Sequence, residues 1–334
     1  MKTTVLLVNL GTPDSASTSD VRKYLTQFLN DERVIDINPI GRLLLVNGII
    51  VPFRAPKSAK LYKHIFDENG SPLLYHGLEL QKKMQAALGE NYIVEFGMRY
   101  QNPKVEDALA RIQKNGTHKL IIVPLYPQYA SSSTGSTLQR IYEILNKWQT
   151  MPSIKAIHQF YDDEGFLNAV VENGNKFNVA EYDHVLFSFH GLPERQIRKG
   201  DCHDYCLKND CCSSITEKNA SCYRAACFET ARQIAKRMHI DEKKYTISFQ
   251  SRLGKTPWIK PYSDEVIIEL AEKGVKKILC FSPAFVADCL ETLHEIGAEY
   301  QELFEEHGGE KIQLVPSLNS NDTWVEALKN IILK

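Results

Sequence analysis

Three groups of side chains in this sequence have the types and spacing to do chemistry. His190 closes the stretch His184-Val185-Leu186-Phe187-Ser188-Phe189-His190-Gly191-Leu192-Pro193, an apolar run ended by a polar side chain, then Gly and Pro. Such a run reads as a short buried strand, and in an open parallel sheet ligands bind just past the carboxyl ends of strands. An imidazole placed there titrates near neutrality and can move protons at a substrate. A histidine that only closes a turn has the same local sequence. The second group is acidic: Asp288, Glu291 and Glu295 fall three and four residues apart in Phe285 to Glu295. On a helix they form one row, whose mutual repulsion raises a pKa or calls for a cation; the alternative is a solvated helix face. Oxygen ligands of this kind bind Fe²⁺ or Mg²⁺ loosely enough to hand it on. The third group is Cys202, Cys206, Cys211, Cys212, Cys222 and Cys227. Thiols so close together signal zinc or an iron–sulfur cluster, although the spacings match no C-x₂-C or paired-histidine finger. Cys280 and Cys289 stand apart and read as packed thiols.

The elements that position these groups come in two copies. Val5 to Pro13 matches Val185 to Pro193, both apolar strands closed by Gly-x-Pro. Tyr92 to Arg99 pairs with Tyr245 to Arg252, and Gly116 to Val123 with Gly274 to Phe281. Ile154 to Val170 echoes Ile312 to Leu328, with Phe166 against Trp324 and Ala169 against Ala327. Four matches in one order imply an internal duplication. Between the strands lie helical patterns: Val105, Leu109 and Ile112 share one face, and Val266 to Leu270 does the same in the second copy. Alternating strand and helix predicts an α/β protein of two similar doubly wound parallel-sheet, Rossmann-like domains, residues 1–178 and 179–334. The active site is expected in the cleft between them, above the carboxyl ends of the strands. Leu10 holds the first-copy position of His190, so one wall would be apolar and the other able to take protons, suiting a large, flat, apolar substrate. Two stretches depart from the repeat: the apolar segment at about 38–56 and the cysteine-rich insert at about 201–227.

Composition narrows the classes of function. Lys+Arg of 40 against Asp+Glu of 41 gives a net charge of -1, which argues against nucleic acid as partner. The 334 residues, 43% hydrophobic and 24% charged, suit a globular protein with a sizeable core. Met1 to Val8 enters a strand at once, without the apolar region and cleavage site of a secretory signal. No apolar run approaches the roughly 18 residues of a membrane span. A cytoplasmic location is expected, where structural disulfides are rare and the clustered thiols need another role. The apolar stretch Asn38 to Pro52 reads either as a buried helix or as an exposed lip that touches a membrane surface peripherally.

Several motifs carry a resemblance. Val8-Asn9-Leu10-Gly11-Thr12-Pro13, Gly97-Met98-Arg99-Tyr100, Tyr126-Pro127-Gln128-Tyr129, Ser133-Thr134-Gly135-Ser136, Ser188-Phe189-His190-Gly191-Leu192-Pro193 and Asp288 to Glu291 with Thr292-Leu293 resemble the ferrochelatases, in the right order from about residue 4 to residue 330. The resemblance implies a chelatase-like fold and an enzyme that forms nitrogen–metal bonds, inserting Fe²⁺ into protoporphyrin IX to give protohaem in haem biosynthesis. It implies His190 as proton acceptor or metal-delivery ligand and Glu291 as its partner, with Asp288 and Glu295 continuing an acidic path. Leu10, Arg99, Tyr100 and Trp258 match porphyrin-contacting or flanking positions, and Arg54 a lip arginine that pairs with a propionate. The cysteine insert resembles a bacterial variant whose cluster ligands all lie in one segment. A [2Fe–2S] cluster on Cys206, Cys212, Cys222 and Cys227 is expected, with Cys202 and Cys211 as rival ligands and zinc as the alternative metal. The animal members place cluster cysteines in a C-terminal tail and after the Pro-x-Tyr segment; here Ser131 stands at the second place and the tail has none. Phe189 also departs from the small residue that many relatives carry before the histidine. Coproporphyrin III is the alternative substrate, a cobalt or sirohaem chelatase or a haem-binding iron–sulfur sensor the alternative function, and a monomer and a homodimer are both compatible with the chain.

Overall fold

The apolar strands that open the two copies take the same place in two separate sheets. The computed structural model describes residues 3–254 and 256–334. In the first unit β1 (Thr3–Gly11), β2 (Tyr92–Tyr100), β3 (Lys119–Pro124) and β4 (Ser153–Ala156) pair in the order β2-β1-β3-β4. In the second, β5 (His184–His190), β6 (Tyr245–Gln250), β7 (Lys277–Phe281) and β8 (Lys311–Leu314) pair in the order β6-β5-β7-β8. All pairs are parallel. Parallel strands are covered on both faces, which explains why Val5, Leu6, Leu7 and Val8 are all fully buried rather than alternating.

The register agrees with the duplication in most places. Val5 lies between Val94 and Ile121, and Val185 between Tyr245 and Leu279. Ile121 and Leu279 are thus counterparts, and Ile154 and Ile312 follow at the next strand. The exception is β2 against β6, where Val94 rather than Tyr92 is the counterpart of Tyr245. The displacement is two residues, which leaves every side chain on its expected face.

Each unit has its own core. Val105, Leu109 and Ile112, on the helix Val105–Lys114, pack with Leu6, Ile122 and Ile141. Val266, Ile267 and Leu270, on Ser263–Glu272, pack with Leu186, Ile278 and Phe304. The units do not divide at a single cut near residue 178. The first comprises 1–126, 130–158 and 320–334, and the second 127–129 and 159–319. The helix Asp322–Leu333 packs on Pro72–Leu88 in the first, and Glu164–Gly174 packs on Tyr223–Arg237 in the second. These two helices are repeat counterparts. Asp163 caps one by accepting from Gly165 and Phe166 N, and Asn321 caps the other by accepting from Trp324 N.

The stretch expected to be a buried helix or an exposed lip is exposed. Asn38 caps the helix Pro39–Leu45, which runs through a π-helical turn, Val46–Ile50, into Val51–Ile65. Ile40, Leu43, Leu44, Ile49 and Phe53 are each more than half exposed. Among the described residues no helix is long and apolar enough to cross a membrane. The cysteine-rich insert forms irregular turns from 201 to 222, between the helices Glu194–Gly200 and Tyr223–Arg237.

Candidate active site

His190 is the last residue of β5, as the strand-then-turn pattern predicts. Gly191 follows because nothing larger fits: a Cβ there would stand 2.8 Å from the Gln250 carbonyl oxygen and 3.1 Å from the Trp258 ring. The Gly191 N–H donates to that Gln250 oxygen at 2.8 Å. The half-buried His190 ring has Nδ1 2.6 Å from the Gly191 carbonyl oxygen. A carbonyl only accepts, so Nδ1 carries the hydrogen, and in the neutral ring it is Nε2 that presents its lone pair, the form needed of a base or a metal ligand. Trp258 is buried beside this turn, bridges to Pro193, and donates from Nε1 to the Leu253 carbonyl at 2.9 Å. Phe189 points the other way into the core against Phe249, so its bulk does not reach the His190 side of the strand.

The acidic row is only partly realised. Residues 291–300 form a π-helix, Glu291–Tyr300, whose i→i+5 bonding departs from the α period on which the spacing argument rests. Asp288 precedes this helix and turns to the loop after β8, accepting from Asn319 Nδ2 at 2.8 Å and Ser317 N at 3.2 Å; Thr292 Oγ1 donates to it from 3.3 Å. It is a loop anchor, only 8% exposed. Glu291 and Glu295 remain together. Glu295 accepts from Ser251 N at 2.8 Å, Gln250 Nε2 at 3.0 Å, Tyr300 Oη at 3.1 Å, and from the Ser251 hydroxyl. Burial raises the Glu295 pKa; the Ser251 and Gln250 hydrogen bonds oppose this, the Glu291 carboxylate adds to it, and His190 lowers it. The buried Cys289 thiol is pushed up, by burial and then by Glu291.

Gln250, Ser251 and Tyr300 escaped the sequence reading. The Ser188 hydroxyl donates to Gln250 Oε1 at 2.7 Å, which turns the amide nitrogen towards Glu295 and the Glu291 carbonyl. Ser251 sits at φ 65°, a left-handed conformation uncommon for serine. Both residues stand at the carboxyl end of β6 as His190 and Gly191 stand at the end of β5, and that placement was the available signal.

In the first unit the half-buried Leu10 is the penultimate residue of β1, before Gly11, whose φ is +124° and whose Cβ would stand 2.0 Å from the Tyr100 carbonyl oxygen. Arg99 and Tyr100 have their polar ends occupied. Asp31 accepts from Arg99 Nη2 at 2.5 Å, Ser136 Oγ at 2.6 Å and Tyr100 Oη at 2.9 Å. Arg99 Nε also donates to Ser136 Oγ at 2.8 Å. Tyr100 is 2% exposed, and its phenol pKa is pushed far up by burial. Arg54 lies half-buried on the helix Val51–Ile65.

All eight cysteines are unbridged, and Cys202 is exposed while the other insert cysteines are buried. Cys222 hydrogen-bonds with the thiols of Cys212 and Cys206, which brings its own pKa down to about 6; Cys212 is pushed up by Cys222 and then by burial, and Cys206 by burial and then by Cys222. Cys211 Sγ lies 3.8 Å from Cys212 Sγ and accepts from Leu207 N at 3.2 Å; Arg224 Nη1 donates to Cys212 Sγ at 3.1 Å. Cys227 is deeper, beside Tyr223. Among the described residues no three His, Cys, Asp or Glu side chains already stand in metal-ligating geometry, in the insert or around His190. The insert donors nevertheless fit a thiolate-bound metal: four soft, desolvated sulfurs, Cys206, Cys211, Cys212 and Cys222, with N–H groups directed at Cys211, Cys212 and Cys222.

The ferrochelatase family model matches residues 2–334. The chain is 46% identical over 332 residues to a ferrochelatase of Legionella pneumophila (strain Lens), covering 99% of each. It is 42% identical over 335 residues to a ferrochelatase of Coxiella burnetii (strain Dugway 5J108-111), covering 99% of this chain and 93% of that one. Among solved structures, SirB from Bacillus subtilis with Fe³⁺ superposes with a TM-score of 0.54 at 13% identity, covering 100% of this chain and 95% of the other, a likeness of fold.

Proposed function

The chain belongs to the ferrochelatase family of metal-inserting porphyrin chelatases, and from that premise we propose that it inserts Fe²⁺ into protoporphyrin IX to give protohaem. The observation that carries the assignment of roles is the His190 ring. Its Nδ1–H is committed to the Gly191 carbonyl, which leaves Nε2 as the acceptor for a pyrrole N–H proton. Fe²⁺ enters the macrocycle only as two such protons leave. Glu291 and Glu295 are the carboxylates that take up protons or pass the metal, and the raised Glu295 pKa suits reversible protonation. Asp288 is assigned to holding the loop after β8, because its carboxylate is consumed there. Leu10, Arg54 and Trp258 are assigned to porphyrin contact by family likeness, and Arg99 and Tyr100 to supporting it through Asp31.

The exposed apolar lip favours protoporphyrin over the more carboxylated coproporphyrin III, and favours peripheral contact with a membrane surface by a cytoplasmic protein. A sirohaem or cobalt chelatase is disfavoured because Leu10 stands where a second histidine would be expected. We assign a [2Fe–2S] cluster to Cys206, Cys211, Cys212 and Cys222, with Cys227 now the rival ligand; zinc suits the same four thiolates. The metal would cross-link an insert that has no regular secondary structure of its own. The deciding experiment is anaerobic turnover with Fe²⁺ and either porphyrin, after the protein's own visible spectrum has been recorded. Protohaem from protoporphyrin supports the reading, preference for coproporphyrin III moves the substrate assignment, and no product from either refutes the activity. A colourless protein without acid-labile sulfide refutes the cluster.

A further inference from the structure

Tyr223 opens the helix that follows the cysteine-rich insert, yet its side chain reaches the end of β5. It is 7% exposed, and its hydroxyl donates to the His190 main-chain carbonyl at 2.8 Å. That carbonyl lacks a sheet neighbour on one side, because β7 pairs with β5 only as far as Phe187. The next carbonyl along, that of Gly191, accepts the His190 Nδ1 hydrogen. Tyr223 therefore holds the carbonyl of the His190–Gly191 peptide, whose N–H is held by the Gln250 carbonyl, while the carbonyl of the next peptide holds the imidazole. Tyr223 is itself held: it is covalently joined to Cys222, and its hydroxyl interacts with the fully buried Cys227 thiol.

We propose that Tyr223 is a positioning residue for His190, fixing through the main chain the tautomer that leaves Nε2 free, and that the cysteine segment thereby braces the proton-accepting histidine. The inference rests on His190 as the base but not on which metal, or whether any, occupies the insert. A buried carbonyl deprived of its donor draws a replacement partner by moving, and movement of this peptide releases the Gly191 oxygen from His190 Nδ1.

The test uses full-length protein with ¹⁵N-labelled histidine. Two-bond ¹H–¹⁵N spectra of the imidazoles, with His190 assigned through His190→Gln, give the tautomer directly. Wild type should show a single Nδ1–H tautomer and Tyr223→Phe a mixture of both. With Fe²⁺ and protoporphyrin IX, kcat should fall about tenfold in the variant, as expected for one lost positioning bond. KM for the porphyrin should stay within about twofold, because no side chain assigned to gripping the macrocycle is substituted. 4-Aminophenylalanine at position 223 keeps an N–H donor and should restore both tautomer and turnover. If Tyr223→Phe does not fold, 4-methylphenylalanine, which is close to tyrosine in shape and has no donor, takes its place. An unchanged tautomer in the donor-less variant overturns the inference. A changed tautomer with unchanged turnover supports the positioning and instead overturns His190 as the base.

Discussion

Replacing Ser251 by Ala removes one donor from the Glu295 carboxylate. Glu295 accepts from Ser251 N, Gln250 Nε2 and Tyr300 Oη at 2.8, 3.0 and 3.1 Å, and from the Ser251 hydroxyl. Only the hydroxyl is lost in the variant. A hydrogen bond to a charged acceptor contributes about 1.5–3 kcal/mol, and the three donors that remain offset part of its loss. We take roughly 1.4 kcal/mol as the net effect, which is one pH unit in the carboxyl titration. The sign follows from which form is favoured. These donors stabilise the ionised carboxylate, burial already raises its pKa, and losing a donor raises it further. The variant carboxylate therefore protonates at higher pH. Its kcat/KM for anaerobic Fe²⁺ insertion should fall earlier on acidification, with the acidic limb displaced upward by about one pH unit. A profile that superimposes on wild type, or moves to lower pH, would remove Glu295 from the proton path.

Other perturbations separate the remaining roles. His190→Ala should abolish metal insertion while porphyrin still binds, followed by quenching of porphyrin fluorescence; substantial residual turnover excludes it as the base. Asp288→Ala should cost about 2 kcal/mol by freeing the loop after β8, lowering Tm by about 3 °C in calorimetry. An unchanged Tm contradicts the anchoring role. Burial, with Lys244 and Lys273 nearby, pushes His184 from 6.5 down to about 4. The folded state thus binds this proton less readily than the unfolded chain. Wild type should lose about 1–2 kcal/mol relative to His184→Gln as pH falls from 6.5 towards 4, with no difference in slope above that window, measured by denaturant titration. Cys222→Ser should empty the insert of metal while Cys202→Ser, which changes an exposed thiol, should retain it. Elemental analysis with acid-labile sulfide reads both.

Much of the architecture was legible because it is local. Runs such as Val5 to Val8 and Val185 to Phe189, helical faces such as Val105, Leu109 and Ile112, and the Gly-x-Pro closures all declare themselves within a few residues. Their recurrence in the same order revealed the duplication, and strand-end logic alone placed His190 where the parallel sheet puts functional side chains. The relation of β2 to β6 was displaced because two strands starting with tyrosine align equally well in sequence, and only neighbouring strands in the sheet choose between registers.

The tertiary structure decided what depends on distant partners. Asp288 looked like part of an acidic row, but Asn319 and Ser317 claim it, and the π-helix that begins after it breaks the period assumed for the row. Arg99 and Tyr100 look free in sequence and are tied to Asp31. The counterpart helices Glu164–Gly174 and Asp322–Leu333 share caps and apolar faces, yet each joins a different unit, because identical amphipathic stripes do not specify the surface that covers them. Among six close cysteines, spacing cannot say which sulfurs meet in an irregular segment; the Asp201 carboxylate accepts from the main-chain N–H groups of His203, Tyr205 and Cys206 and helps shape that turn. Periodicity and turn chemistry are written in neighbouring residues and survive without the fold. The partners of a buried charge, amide or hydroxyl are fixed by sheet order and helix docking, so the polar network around His190 existed only once the chain had closed.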